Sequence, residues 1–160
     1  MPTYSPMNNN FEIAKELLTK NGKITGLATG ISMKPLLRSG KDNAVIVPKP
    51  KDLKKNDVVL YRRDGTDRLI LHRIIKVTSD GFIIRGKGGL QGGKDVNPDD
   101  IIGILKGFYR KGKYHDCEKS TLYALYVLYI RISYPARFLF VKSFSLLKRI
   151  LHKIKRIIIK

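Results

Sequence analysis

A serine in a glycine-led turn is the first residue of this chain that could do chemistry. Ser32 stands in the segment TGISMKP, where Gly30 permits a close backbone approach and Pro35 stiffens the exit. A serine hydroxyl becomes an effective nucleophile only when a neighbouring base removes its proton. On these residues alone an ordinary turn serine is the commoner interpretation, so the nucleophile hypothesis depends on a base elsewhere in the chain.

His72 is the histidine best placed to be that base. It lies in LILHRIIKV, a run of apolar and β-branched residues that predicts a strand, whereas His115 and His152 lie in basic segments. An imidazole has an ordinary pKa of about 6.5, so it needs little tuning to accept a proton near neutral pH. A core histidine with a satisfied hydrogen bond is the alternative, and the residues alone leave both open.

Composition limits the partners and cofactors. The chain of 160 residues is long enough for one hydrophobic core and an appendage. Its formal charge of +19 indicates an anionic partner, either a nucleic acid or a membrane surface. The single cysteine, Cys117, excludes an internal disulfide, and one thiol with three scattered histidines does not make the usual structural zinc site. We therefore expect neither a metal nor another cofactor.

Strands are the elements that must position Ser32 and His72. Residues 1–22 predict a polar tail and a short helix, which Asn10 caps and Gly22 ends. Residues 23–113 predict a β domain, because five β-rich runs alternate with turn signals: NAVIVP, DVVLYRR, RLILHRIIKV, GFIIRG and IIGILKGFYRKG. The dipeptide at 64–65, Asp-Gly, predicts a hairpin between the second run and the third.

The last segment, residues 114–160, predicts a basic amphipathic helical tail, so the fold class is mainly β with helices at both ends. From residue 119 onward it holds ten Lys or Arg and no Asp or Glu. Residues 121–141 are the best candidate for a membrane span, but Arg131 and Arg137 would cost roughly 5 to 7 kcal/mol against a gain of roughly 3 to 6 kcal/mol. We therefore expect the tail to lie in the membrane interface, with its basic face toward anionic headgroups.

Two other interpretations of the tail stay open. It could pack on the β domain with its charges merely solvated. It could also bind nucleic acid, but no helix-turn-helix is recognisable, and too few residues precede the β region to form one. We therefore expect no nucleic-acid partner.

The blocks of the β region, in their order and spacing, resemble the signal peptidase I and LexA-like serine peptidases. TGISMKPLLRSGKD resembles the nucleophile block, LKKNDVVLYRR a strand after a turn, ILHRIIKV the base-bearing strand, and FIIRGKGG and DDIIGILKGFYRKG the closing blocks. The resemblance covers roughly residues 23–113. A lysine before an arginine is the base in the bacterial enzymes. Here His72 precedes Arg73, which resembles the endoplasmic-reticulum-type Ser–His branch, so the resemblance implies Ser32 as nucleophile and His72 as general base.

The chain departs from the family pattern at two places. The family has Gly-Asp where this chain has Gly86-Lys87, and in the Ser–His branch a carboxylate from the following loop orients the histidine. Asp95 is the nearest substitute, so we expect it to complete the site. Signal peptidases often carry a hydroxyl residue at the position of Gly30, so the backbone N–H of Ser32 would carry most of the oxyanion stabilisation.

The resemblance implies a serine endopeptidase that cleaves signal or leader segments of peptide precursors at the membrane through an acyl-enzyme. Small residues would precede the cut in an extended substrate. We expect a peripheral or interfacial membrane protein of a bacterial-type cell. The alternative is a catalytically impaired peptidase-fold module that binds at the membrane surface, since Gly86-Lys87 replaces the usual Gly-Asp.

Overall fold

The fold is mainly β, as the sequence predicts: one antiparallel sheet of eight strands with a helix toward each end. The computed structural model describes residues 10–63, 66–86 and 94–133, and the chain divides into two compact units, Met1–Ala124 and Leu125–Lys160. The first helix is α1 (Phe11–Asn21), and α2 comprises residues 121–133 of the described part. The strands are β1 (Ile24–Leu27), β2 (Asn43–Pro48), β3 (Val58–Arg62), β4 (Leu69–Val77), β5 (Phe82–Arg85), β6 (Lys94–Val96), β7 (Ile101–Arg110) and β8 (Lys113–Asp116).

The strand order brings distant parts of the chain together. The strands lie in the order β1-β2-β7-β3-β4-β5-β6, and β8 pairs with β7. Every strand pair is antiparallel. Ser32 lies in the segment between β1 and β2, and His72 lies in β4. All five predicted strand runs are confirmed, whereas β1, β6 and β8 were not predicted.

The N-terminal helix forms as its caps predict. The Asn10 side chain accepts hydrogen bonds from the backbone N–H groups of Glu12 and Ile13, which have no partner inside the helix. Gly22 ends the helix with a left-handed φ of 67°, a conformation that glycine adopts at little cost. The helix buries Phe11, Ala14 and Leu18 and contacts β1, β2 and β7.

The core beneath the candidate site is made by alternate residues of the central strands. One buried cluster comprises Val59, Tyr61, Ile74, Ile84, Val96 and Ile101, contributed by β3 to β7. Its only phenol, Tyr61, is 5% exposed. This packing holds in place the hairpin of β3 and β4, which carries His72.

The sheet continues past the predicted end of the β domain. Lys111 and Gly112 have φ angles of 51° and 77°, and this turn leads into β8, which ends at Asp116. Antiparallel pairing of β8 with β7 therefore continues the sheet to Asp116. The dipeptide at 64–65 lies outside the described residues, but the hairpin that it predicted joins β3 to β4.

The C-terminal tail is helical from residue 121 to residue 133. In α2 the exposed apolar side chains recur every three or four residues and form one face: Leu122, Leu125, Leu128, Tyr129 and Ile132. Within the described residues, no helix has the length and apolar character needed to cross a membrane. The tail beyond residue 133 lies outside the described residues.

Candidate active site

The turn that carries Ser32 is held by local hydrogen bonds and buried anchors. Gly30 has a left-handed φ of 82°, a conformation that few other residues adopt, and the close approach of a substrate backbone at this glycine stays a prediction. The N–H of Lys34 donates to the carbonyl of Ile31 at 3.2 Å, and Met33 is buried. Ser32 itself is half-buried, while Ile31 beside it is 69% exposed. The serine therefore stands at the surface on a fixed turn.

A buried carboxylate fastens this loop to the sheet. Asp42 is fully buried, and it accepts hydrogen bonds from the Arg38 guanidinium at 2.6 Å and the Arg110 guanidinium at 2.8 Å. Burial raises the pKa of Asp42, but the hydrogen bonds from Arg38 and Arg110 outweigh it and lower that pKa to about 2. Arg110 also donates to the carbonyl of Leu36 at 2.7 Å. Since Arg110 belongs to β7, the cluster ties the Ser32 loop to the centre of the sheet.

The environment of His72 differs from the one that a catalytic triad would supply. Its Nδ1 atom lies 3.1 Å from the hydroxyl oxygen of Tyr61, a hydrogen-bond contact. The other ring nitrogen, Nε2, lies against Gly86, where a Cβ would stand only 2.5 Å away. Gly86 therefore leaves room for the imidazole, and Tyr61 contacts Nδ1, the nitrogen that the carboxylate of a catalytic triad would contact.

Ser32 and His72 line the same cavity. The cavity has a volume of about 390 Å³ and is bounded by residues 28–33 on one wall and residues 68–72 on another, with Arg63 at its rim. Among the hydrogen bonds of the described residues, none joins the Ser32 hydroxyl to the imidazole. Catalytic hydrogen bonds are often long in the absence of substrate, so the shared cavity is the informative observation.

The charge state of His72 suits a base. Burial lowers the pKa of His72, and the positive charge of Arg63 lowers it further. A pKa below the ordinary value of about 6.5 keeps the imidazole neutral at pH 7. The histidine can therefore accept a proton, although a lowered pKa also makes it a weaker base.

Asp95 is not brought to His72. It lies in β6 opposite Ile83, with an exposed side chain, and among the described residues no hydrogen bond joins it to the imidazole. The register explains this, because β6 pairs with β5, and β5 separates it from β4. The orienting role of Asp95 therefore stays a prediction, and no contact among the described residues supports it.

The backbone N–H of Ser32 is available for an oxyanion. Within the described part of the chain, no backbone hydrogen bond uses that group. A backbone donor at the nucleophile is the usual first element of an oxyanion hole. That this N–H stabilises the oxyanion therefore stays a prediction.

Sequence reasoning missed Tyr61. A tyrosine in VVLYR is an ordinary strand residue, and only the pairing register puts it next to His72. Because Val59 lies opposite His72 and Ile70 lies opposite Tyr61, the phenol is the diagonal neighbour of the imidazole. The hairpin signal in the sequence could have suggested this pairing, since it fixes which residues of β3 and β4 share a face.

No metal site accompanies these residues in the described part of the chain, where no three His, Cys, Asp or Glu side chains form a cluster. Cys117 is buried, and burial raises the pKa of its thiol to about 12. The thiol is therefore protonated and inert at neutral pH.

Comparison with known proteins finds no protein-family model that matches the chain and no curated protein that matches it.

Proposed function

We propose that this protein is a serine endopeptidase similar to the Ser–His signal peptidases, and that it cleaves signal or leader segments of peptide precursors at a membrane surface. What supports the proposal most is that Ser32 and His72, forty positions apart in the sequence (72 − 32), line one cavity. The lowered pKa of His72 and the unoccupied N–H of Ser32 suit the roles of base and oxyanion donor. Membership of the peptidase family is part of the proposal.

The chemistry requires a defined tautomer. For His72 to act as the base, its Nδ1–H must donate to the Tyr61 oxygen 3.1 Å away, which leaves Nε2 to accept the Ser32 proton as the serine oxygen attacks the peptide carbonyl. The imidazolium then gives this proton to the leaving amine as the C–N bond breaks. Water attacks the acyl-enzyme, His72 takes one proton of that water, and the serine hydroxyl is restored when the acyl group leaves.

Labelling with a fluorophosphonate probe tests the nucleophile. We expect covalent labelling of the full chain, with one equivalent of fluoride released per serine, and none for Ser32→Ala or His72→Ala. Ser39→Ala is the matched control, because Ser39 lies in the same loop but does not line the cavity. Peptides with small residues before a central bond should be cleaved by the wild type and by Ser39→Ala only.

The same experiment distinguishes the alternative, a catalytically impaired binding module. That alternative is favoured by the absence, among the described residues, of a carboxylate bonded to His72. Peptide binding that Ser32→Ala leaves intact, with neither labelling nor cleavage of the wild type, would establish the binding module and exclude the peptidase.

Membrane association is proposed from the tail. The exposed apolar face of α2 and the ten basic residues from 119 onward suit an interfacial helix on anionic lipid. Each basic residue near the surface contributes about 1 kcal/mol, so replacing three by Gln should weaken binding to vesicles with phosphatidylserine about a hundredfold. The tail variant replaces Lys148, Arg149 and Lys153, and the control replaces Lys51, Lys54 and Lys55 on the β domain. Equal losses for the two triple variants would contradict a dedicated role for the tail.

A further inference from the structure

Two arginines at the rim of the cavity form a like-charge pair. The N–H of Arg63 donates to the carbonyl of Arg68 at 3.0 Å. These two residues are the next ones toward the turn after the last strand pair, Arg62 and Leu69. Arg63 and Arg68 are thus directly opposite each other across the hairpin, and both side chains are exposed. Like charges directly opposite each other on a sheet destabilise the pairing. An anionic group placed between them would remove this repulsion.

The two arginines share a face with the candidate base. Alternate residues of a strand point to the same side, so Tyr61 and Arg63 on one strand lie on the face of Arg68, Ile70 and His72 on the other. Both arginines line the cavity that contains Ser32. The charge of Arg63 also reaches the site, because burial lowers the pKa of His72 and Arg63 lowers it further.

Within the described residues, nothing neutralises this pair. No ion pair of the described residues involves Arg63 or Arg68, and no carboxylate lines the cavity. The pKa of Arg62 is raised chiefly by its hydrogen bond to Asp100, and the neighbouring Asp67 adds to that increase. Asp64 lies outside the described residues. The contrast with Arg62, which is paired with Asp100 at 2.8 Å, shows that this hairpin pairs its other arginine internally.

We propose that Arg63 and Arg68 form a subsite for an acidic side chain of the peptide substrate, so that the enzyme prefers precursors with Asp or Glu near the cut. This inference names a substrate class and rests on the proposed peptidase function. The Cα atoms of Arg68 and His72 are four residues apart on one strand, or about 13 Å. An extended peptide covers that distance in about four residues, so the acidic residue lies up to about four positions from the cleaved bond.

Matched peptides test the subsite. The probes are fluorescent dodecapeptides with a central Ala-Ser-Ala segment and one Glu. The Glu is placed in turn at each position up to four residues from the centre, and the matched peptide has Gln at the same position. For the wild type at low salt we expect about a three- to tenfold higher kcat/KM for the best Glu peptide than for its Gln partner. Arg63→Gln and Arg68→Gln should bring that ratio close to one. Lys51→Gln removes the same charge from an exposed position outside the cavity and should preserve the ratio.

Binding separates this inference from the peptidase proposal. Fluorescence anisotropy with Ser32→Ala measures the same Glu-to-Gln preference without any cleavage. A preference that depends on Arg63 and Arg68 supports the acidic subsite even if the wild type cleaves nothing, in which case only the peptidase proposal fails. Equal binding of Glu and Gln peptides at every position overturns the subsite even if cleavage occurs.

Two further outcomes also overturn it. A preference that Lys51→Gln reduces as much as Arg63→Gln would reflect only the overall charge of +19. The second outcome is that a single-stranded oligonucleotide displaces the Glu peptide at a concentration below that of the peptide. If this displacement depends on Arg63 and Arg68, it would assign the pair to nucleic acid.

Discussion

Removing the hydroxyl of Tyr61 is the most informative single change at the site. Tyr61→Phe keeps the ring that fills the core and deletes one atom, the oxygen 3.1 Å from His72 Nδ1. A hydrogen bond between neutral groups contributes about 0.5 to 1.5 kcal/mol, and one to a charged group about 1.5 to 3 kcal/mol. The imidazole becomes charged in the transition state, so the hydroxyl stabilises that state by about 1 to 1.5 kcal/mol more than the ground state. We expect kcat/KM to fall about five- to tenfold.

The pH profile shows whether this loss is electrostatic or merely structural. If the Tyr61 oxygen accepts from Nδ1–H, it favours the charged imidazolium, so its removal lowers the pKa of His72 further. The acid limb of kcat/KM should then move down by about 0.7 to 1 pH unit, since 1.36 kcal/mol corresponds to one unit. Activity is lost as the pH falls through the folded-state pKa, because the protonated imidazole cannot accept a proton.

Steady-state cleavage between pH 4 and 9 measures both quantities, with Tyr109→Phe as the control because the ring of Tyr109 packs against Tyr114 and not against His72. A fall in rate with an unmoved acid limb would mean that Tyr61 only supports packing. An acid limb that moves to higher pH would mean that Tyr61 donates its proton to Nδ1. Nε2 would then carry the other proton, and His72 could not be the base in the proposed reaction.

Two other predictions concern the supports of the site, and one concerns its substrate. Gly86→Ala should abolish cleavage while the protein stays folded by circular dichroism, because a Cβ at 2.5 Å from His72 Nε2 displaces the imidazole; retained activity would contradict a close approach. Asp42→Asn should lower the free energy of unfolding by about 3 kcal/mol in urea, since it leaves two guanidinium groups without their carboxylate. The pKa of Asp42 falls from 3.8 to about 2 on folding, so about 2 kcal/mol of wild-type stability should be lost between about pH 4 and pH 2, and Asn at this position should remove that loss. An acidic peptide should raise the pKa of His72 during acylation.

The sequence predicted the strands that carry strong local signals and missed those that depend on pairing. β2, β3, β4, β5 and β7 are β-branched or aromatic runs between turn residues, which is the pattern that marks a strand. β6 has only three residues, Lys94–Val96, and β8 is the polar KYHD, so neither carries an alternation long enough to recognise. These strands form because the edge of an adjacent strand has backbone N–H and C=O groups with which they can pair. No local sequence pattern indicates where that edge lies.

The same distinction applies to the site. Ser32 and His72 were candidates by residue type, the family resemblance implied their roles, and both line one cavity in the structure. The orienting group was expected to be a carboxylate, because an acid is what a family resemblance leads one to seek. Tyr61 could not be chosen over Asp95 without the register of β3 against β4. A sequence separation of eleven residues (72 − 61) does not by itself predict that the two side chains are in contact.

Burial and the charge of Arg63 both lower the basicity of His72, and an acidic substrate would offset the effect of Arg63. A carboxylate would stabilise the imidazolium, but the neutral Tyr61 does so weakly, and Arg63 opposes it. In the free protein the imidazole of His72 is therefore neutral at pH 7 and is a weak base. An acidic side chain bound to Arg63 would offset its charge and raise the pKa of His72, so the correct substrate would strengthen the base. Single-turnover acylation should then show its acid limb at higher pH with the Glu peptide than with the Gln peptide. Arg63→Gln should remove the difference, and limbs that coincide in the wild type would show that the subsite binds without influencing catalysis.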